Sequence, residues 1–133
     1  MKEKIHPEGW PRPSGYSYAV KATGGTTLYI AGQIALDEKG NLIGKRDVIR
    51  QVNQALANLV KVVETAGGRP EDLVKLNIYV LSIKDYYADP KGLREVYRKY
   101  LGDHYPAMTL VEVKELLEPG TLIEIDGVAV LDG

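Results

Sequence analysis

Between Asp47 and Ala66 the apolar residues Val48, Val52, Ala55, Leu56, Leu59 and Val63 recur at intervals of three and four, which gathers them on one face of a helix. Such a helix cannot stand alone. Its apolar face has to lie on a second layer of structure, and the remainder of the chain must supply that layer. The helix ends are marked as well: Asp47 offers a carboxylate to the free amides of the first turn, and Gly67-Gly68 supplies the left-handed residue that stops a helix.

The second layer reads as strands. Leu73 to Leu81 puts Val74, Leu76, Ile78 and Val80 on one side and Lys75, Asn77, Tyr79 and Leu81 on the other. Ala107 to Val113 and Leu122 to Leu131 alternate in the same way, separated by a loop containing Glu118-Pro119-Gly120. Tyr16 to Ala22 and Leu28 to Ile34 read as two earlier strands, and Thr23-Gly24-Gly25-Thr26 between them is a hairpin signal. Asp37 to Asn41 forms a further turn. A second helix is expected near Lys91 to Tyr100, with Leu93, Val96, Tyr97 and Tyr100 as its stripe. The predicted order is β-β-α-β-α-β-β, an α+β domain whose mixed sheet carries two helices on one face.

One domain accounts for all 133 residues, a length that buries roughly two thirds of the unfolded surface without staples. Residues 1–15 are expected to be an N-terminal arm, because Pro7 to Gly15 holds three prolines and two glycines in nine positions. With both helices on one face, the other face of the sheet is left open. On either side the last two strands carry large apolar residues, Met108 and Leu110 against Val111 and Val113, Ile123 and Ile125 against Val128 and Val130. Self-association through the sheet is therefore expected.

Composition removes several classes of function. The chain has no cysteine, so disulfides, thiolate nucleophiles and cysteine-ligated metals are excluded. Its two histidines, His6 and His104, form no metal or triad constellation, and His104 reads as structural. No stretch approaches the roughly 20 apolar residues of a membrane span, and no apolar run follows the charged N-terminus, so a cytoplasmic protein without a membrane partner is expected. A net charge of −1 provides no field to concentrate nucleic acid, which is an unlikely partner on that ground.

Several segments together carry a family resemblance. Gly15-Tyr16-Ser17-Tyr18-Ala19-Val20 resembles the Gly-Pro-Tyr-Ser-x-Ala-Val start of the reactive-intermediate deaminase family (RidA, YjgF). Leu28-Tyr29-Ile30-Ala31-Gly32-Gln33-Ile34 is similar to its strand ending in Ser-Gly-Gln-Ile/Val. Gln51-Val52 with Asn58-Leu59, Ala66-Gly67, Glu71 to Lys75, Pro106-Ala107 and Ile123 to Val130 follow in the family's order and spacing, from about Gly15 to Leu131. The resemblance implies a chorismate-mutase-like fold, a homotrimer, and small-molecule sites in the clefts between subunits. It also implies cofactor-free, metal-free hydrolysis of reactive enamines and imines to a carbonyl compound and ammonia.

The same resemblance assigns residues. Glu124 falls at the family's strand glutamate, where a carboxylate positions or deprotonates water; Tyr16 matches its pocket tyrosine, and the Gly32 amide matches a backbone donor. By alternation alone, Glu124 reads equally as a solvated strand residue, Tyr16 as a packing aromatic and Gly32 as a point of close strand approach. The chain departs from the family at the anchor. Where deaminases read Pro-Ala-Arg-Ser/Thr, the arginine pairing with the substrate carboxylate, this chain reads Pro106-Ala107-Met108-Thr109, and Ala31 replaces the serine beside Gly32. Met108, Thr109 and Ala31 then line a more apolar pocket that takes a non-standard substrate. Arg94 is the candidate replacement cation, with Arg12 in the arm as a second, and Trp10 is expected to cover an apolar edge. A metabolite-binding trimer without turnover is the alternative, and an endoribonuclease or translation inhibitor a further one.

Overall fold

The computed structural model describes residues 1–132. Strands β1 (Lys2–Ile5), β2 (Ala19–Ala22) and β3 (Thr26–Gln33) lead into helix α1 (Val48–Thr65). Strand β4 (Leu73–Val80), the short helix α2 (Ile83–Tyr86), helix α3 (Pro90–Leu101) and strands β5 (Ala107–Glu112) and β6 (Ile123–Leu131) complete the chain. The expected α+β class and mixed sheet are present.

The main sheet runs β3-β6-β4-β5. β6 is antiparallel to both β3 and β4, whereas β4 and β5 are parallel. A parallel pair needs a long crossover, and the segment carrying α2 and α3 provides it. α1 starts where Asp47 accepts a hydrogen bond from the Arg50 amide at 3.2 Å, and the chain leaves it through Gly67 at φ +91°. α3 begins in the same way, with Asp89 accepting from the Gly92 amide at 3.0 Å and Pro90 in the first turn.

Both long helices pack on one face. Val52, Leu56, Leu59 and Val63 of α1 and Leu93 of α3 close over Ile30, Leu76, Ile78, Val80, Ile123, Ile125 and Ala129. The alternation of each strand thus resolves into a helix-facing set and an outward set. Leu76, Ile78, Met108 and Leu110 belong to the first, and Lys75, Asn77, Tyr79, Thr109, Val111, Glu124 and Asp126 to the second. The outward face is more polar than the strand sequences suggest: its centre is acid, amide and phenol, and its apolar exposure is concentrated at the flanks, in Tyr29 (81 % exposed) and Val111.

Two features of the amino-terminal third differ from expectation. β2 and β3 do not form a hairpin: β2 pairs antiparallel with β1, and β3 pairs with β6. The physical reason lies in what the N-terminus offers. The Met1 ammonium donates to the Thr23 carbonyl at 2.8 Å, and Lys2 lies 3.1 Å from Asp72 and 3.0 Å from Asp132, so the first residues hold β2 at the end of the sheet. Ser17 then bridges to Ala107 beside β5. Gly25 permits the crossing, since at φ +77° a side chain there would overlap the Leu131 carbonyl. The arm accordingly contains a strand, Lys2–Ile5, ahead of the irregular Pro7 to Gly15 stretch.

Gln51 and Asn58 turn α1 into a clamp for the neighbouring loops. The buried Gln51 amide donates to the carbonyls of Gly44 (3.2 Å) and Gly120 (3.0 Å), and its oxygen accepts from the Leu122 amide at 2.8 Å. Asn58 donates to the carbonyls of Ile34 and Leu36, both at 2.9 Å. The first sets where β6 begins and the second where β3 ends, the two strands that carry Glu124 and Gly32.

Candidate functional site

The residues singled out from the sequence fall into two groups on opposite sides of the sheet. On the outward face, Glu124 stands opposite Tyr79 in the β4–β6 ladder. Its carboxylate lies against Gly32, so closely that a methyl group at Gly32 would overlap it. Gly32 sits where the β3–β6 register breaks, between Ile30 and Gln33, and Ala31 beside it is exposed. The bulge and the missing side chain together bring a backbone segment up to an acid. Thr109 shares this face and accepts from the Lys75 ammonium at 2.7 Å.

Next to Glu124 is a network the sequence reading did not pick out. Asp126 accepts from the Asn77 amide at 2.7 Å and from the Tyr79 hydroxyl at 2.9 Å. The bond to Asp126 holds the Tyr79 phenol above its ordinary pKa, so Tyr79 stays a neutral donor. The signal was available in the alternation, because Asn77 and Tyr79 share a face of β4 and Asp126 and Glu124 share a face of β6.

The second group lies on the helix side. Met108 pairs with Leu76 and packs against the core, so it points away from Glu124. It lines a cavity of about 420 Å³ between α3 and the sheet, together with Tyr16 and Arg94. Within a single chain Met108 and Glu124 do not share a pocket, because strand parity puts them on opposite faces. Arg94 is exposed at this cavity, Arg98 lines it one helical turn later, and neither makes an ion pair among the described residues. Two further tyrosines, the buried Tyr86 of α2 and the half-buried Tyr97 of α3, also line it and share a hydrogen bond at 2.6 Å. Burial pushes both phenols well above the usual range, so both keep their protons.

The remaining candidates are placed as follows. Arg12 is exposed and does not line the cavity. Trp10 meets Tyr18 edge-on at 5.0 Å between centroids, and Tyr18 meets Tyr16 edge-on at 6.1 Å. His104 is half-buried at the cavity, its Nε2 2.6 Å from the Leu73 carbonyl; desolvation, assisted by Lys4 and Lys2, keeps its pKa below the ordinary value. Among the described residues no three His, Asp or Glu converge to hold a metal ion, and no helix is long and apolar enough to cross a membrane.

Comparison with known proteins agrees with this architecture. Residues 11–131 match the family described as Endoribonuclease L-PSP. A protein of Pyrococcus horikoshii described as a RutC family protein is 40 % identical over 130 residues, covering 97 % of this chain and 98 % of that one. A 2-iminobutanoate/2-iminopropanoate deaminase of Dermatophagoides farinae is 31 % identical, covering 92 % of this chain and 91 % of that one. The crystal structure of the Rid-family protein YyfB of Yersinia pestis, described as of unknown function, superposes with a TM-score of 0.87 at 36 % identity and covers 98 % of both chains. With the family pattern spanning nearly the whole fold and relatives aligned end to end, the chain belongs to the endoribonuclease L-PSP family, the family of RidA and the imine deaminases.

Proposed function

We propose that this protein is a cofactor-free imine or enamine hydrolase whose site is completed between copies of the chain in a homotrimer. One contact carries the reading: the Glu124 carboxylate lies against the side-chain-free backbone at Gly32, an acid beside a backbone segment. In the proposed reaction Glu124 takes a proton from water as its oxygen adds to the C=N carbon. It passes that proton to the nitrogen; as the C–N bond breaks, the new hydroxyl gives up its own proton through the same carboxylate, so that nitrogen leaves as ammonia with both protons of the water and the carbon keeps the oxygen as a carbonyl. Ala31 and Thr109 border this half.

Tyr16, Met108 and Arg94 form the other half, on the far side of the sheet, and a neighbouring chain presents it to Glu124. Arg94 takes the anchoring role that family deaminases give to the arginine at the Met108 position, and Met108 makes the wall apolar. The relatives named as 2-iminobutanoate/2-iminopropanoate deaminases and as a 3-aminoacrylate deaminase supply the reaction class. A second reading, a metabolite-binding trimer without turnover, is favoured by one observation: among the described residues no carboxylate of the same chain lines the cavity. Endoribonuclease activity is not favoured, since a net charge of −1 gives no field for a phosphate backbone.

Glu124→Gln decides between the first two. Hydrolysis predicts that ammonia release from a panel of imines falls by about a hundredfold or more while the fold is retained. Unchanged release, or ligand-dependent melting shifts with no turnover in either protein, supports the binding module instead. Sedimentation of the intact protein at about 14.7 kDa would remove the trimer.

A further inference from the structure

The cavity under α3 has a composition that specifies more than its size. At about 420 Å³ it lies within the range of small-molecule sites. Its floor is apolar, made by Ile78, Leu93, Leu101, Met108 and Leu110. Tyr16, Tyr87 and Tyr105 stand around it as exposed aromatics, whereas the other tyrosines lining it, Tyr86 and Tyr97, are turned into the protein. No aspartate or glutamate lines it.

Its charged side chains are of one sign. Arg94 and Arg98 are four residues apart on α3, exposed and without ion-pair partners among the described residues. Glu95, which borders a neighbouring groove with both, pairs with neither. The Tyr86–Tyr97 pair is uncharged. Two hydroxyls carry two protons, the single bond between them uses one, and the other proton has no acceptor among the described residues. The cavity thus presents two cations and a broad aromatic surface, and among the described residues no acidic side chain lines it to repel an anion.

We infer that this cavity binds the organic part of an aromatic 2-imino acid, its ring among the tyrosines and Met108 and its carboxylate at Arg94 and Arg98. The inference rests on the hydrolase reading and names its substrate class. A two-carbon or three-carbon imino acid would leave most of the apolar lining in water and would lack the charged partner at position 108. An aryl side chain fills that lining, and ring-on-ring contacts favour it beyond area alone. Arginine suits the mouth because its planar fork both stacks on rings and pairs with a carboxylate. The product is the corresponding aryl 2-oxo acid with ammonia, water having supplied the oxygen.

Two measurements on the full-length protein test this separately from the hydrolase reading. In the first, imines are generated in situ from phenylalanine, tryptophan and alanine by an amino-acid oxidase, and 2-oxo acid formation is timed with and without the protein. The expected kcat/KM for the aromatic imines exceeds that for the alanine imine by about a hundredfold. In the second, phenylpyruvate and pyruvate are titrated calorimetrically into the wild type and into R94Q/R98Q. Phenylpyruvate is expected to bind at least about tenfold more tightly than pyruvate, and its binding is expected to weaken about tenfold or more in the double variant.

Turnover of the alanine imine alone overturns the inference and leaves the hydrolase reading standing. No turnover of any imine, with arginine-dependent binding of phenylpyruvate, overturns the hydrolase reading and supports the ligand class. Equal binding of both acids, or binding indifferent to the two arginines, overturns the inference whatever the turnover.

Discussion

The two faces of the sheet differ in kind. The outward face around Glu124 is wired: Asp126 holds Asn77 and Tyr79, Lys75 holds Thr109, and Gly32 closes on the glutamate. The helix side around Met108 is shaped: an apolar hollow with two cations that have no ion-pair partner among the described residues. Wiring suits a face that moves protons, where small displacements cost rate, and a hollow suits one that selects by size and charge. Neither has what the other holds, and a β-sheet lies between them. A reaction needing both must join one chain's hollow to another chain's wired face.

The division can be attacked by substitutions confined to one side. The largest expected effect is at Gly32, where G32A drives a methyl into the Glu124 carboxylate. Turnover should fall about a hundredfold, as in E124Q, while calorimetric binding of ligand by the cavity holds within a factor of about two. Equal loss of binding would mean that the faces are not independent. Gln51 tests the scaffold beneath both: Q51L strips a buried amide from two carbonyls and leaves the Leu122 amide unpaired, and chemical denaturation should show about 3 kcal/mol lost. At low temperature the surviving folded fraction should keep wild-type kcat, since neither face is altered.

A smaller effect separates the faces by pH. His104 belongs to the cavity side and its pKa is lowered on folding, so the unfolded chain binds its proton more readily. Its contribution to stability is complete above about pH 6.5 and is lost as pH falls through the lowered folded-state value. H104Q should flatten that acid-side decline in melting temperature without touching the E124Q comparison. The smallest expected change is at Thr121, whose buried hydroxyl finds no partner among the described residues. T121V should raise stability by about 1 kcal/mol, read in the same denaturation series.

The sequence announces some of this better than the rest, for identifiable reasons. α1 is legible because its apolar period, its Asp47 cap and its glycine stop agree, and β4 to β6 because alternation survives burial on one side. β1 is not legible: Lys2-Glu3-Lys4-Ile5 is short and charged, and it becomes a strand only through partners 20 or 130 residues away. The false hairpin has the same origin, since Gly24-Gly25 permits a tight turn and a crossing equally well. For the site, Glu124, Gly32 and Tyr16 carry the family resemblance, but the separation of Met108 from Glu124 depends on cross-strand register, Leu76 with Met108 and Tyr79 with Glu124, which no single strand states. Arg98 could have been found as the residue one turn beyond Arg94. Tyr86 lies in a four-residue helix with no period to read.

If one chain's cavity works with another chain's glutamate, two chains damaged at different places must repair each other when mixed. E124Q and R94Q/R98Q, each poorly active alone, are unfolded together in equal amounts, refolded and assayed with an aromatic imine. Random assembly should restore about a quarter of the sites, those pairing an intact cavity with an intact acid from different chains. Activity no higher than the average of the two separate proteins, in assemblies shown to contain both chains, would contradict it.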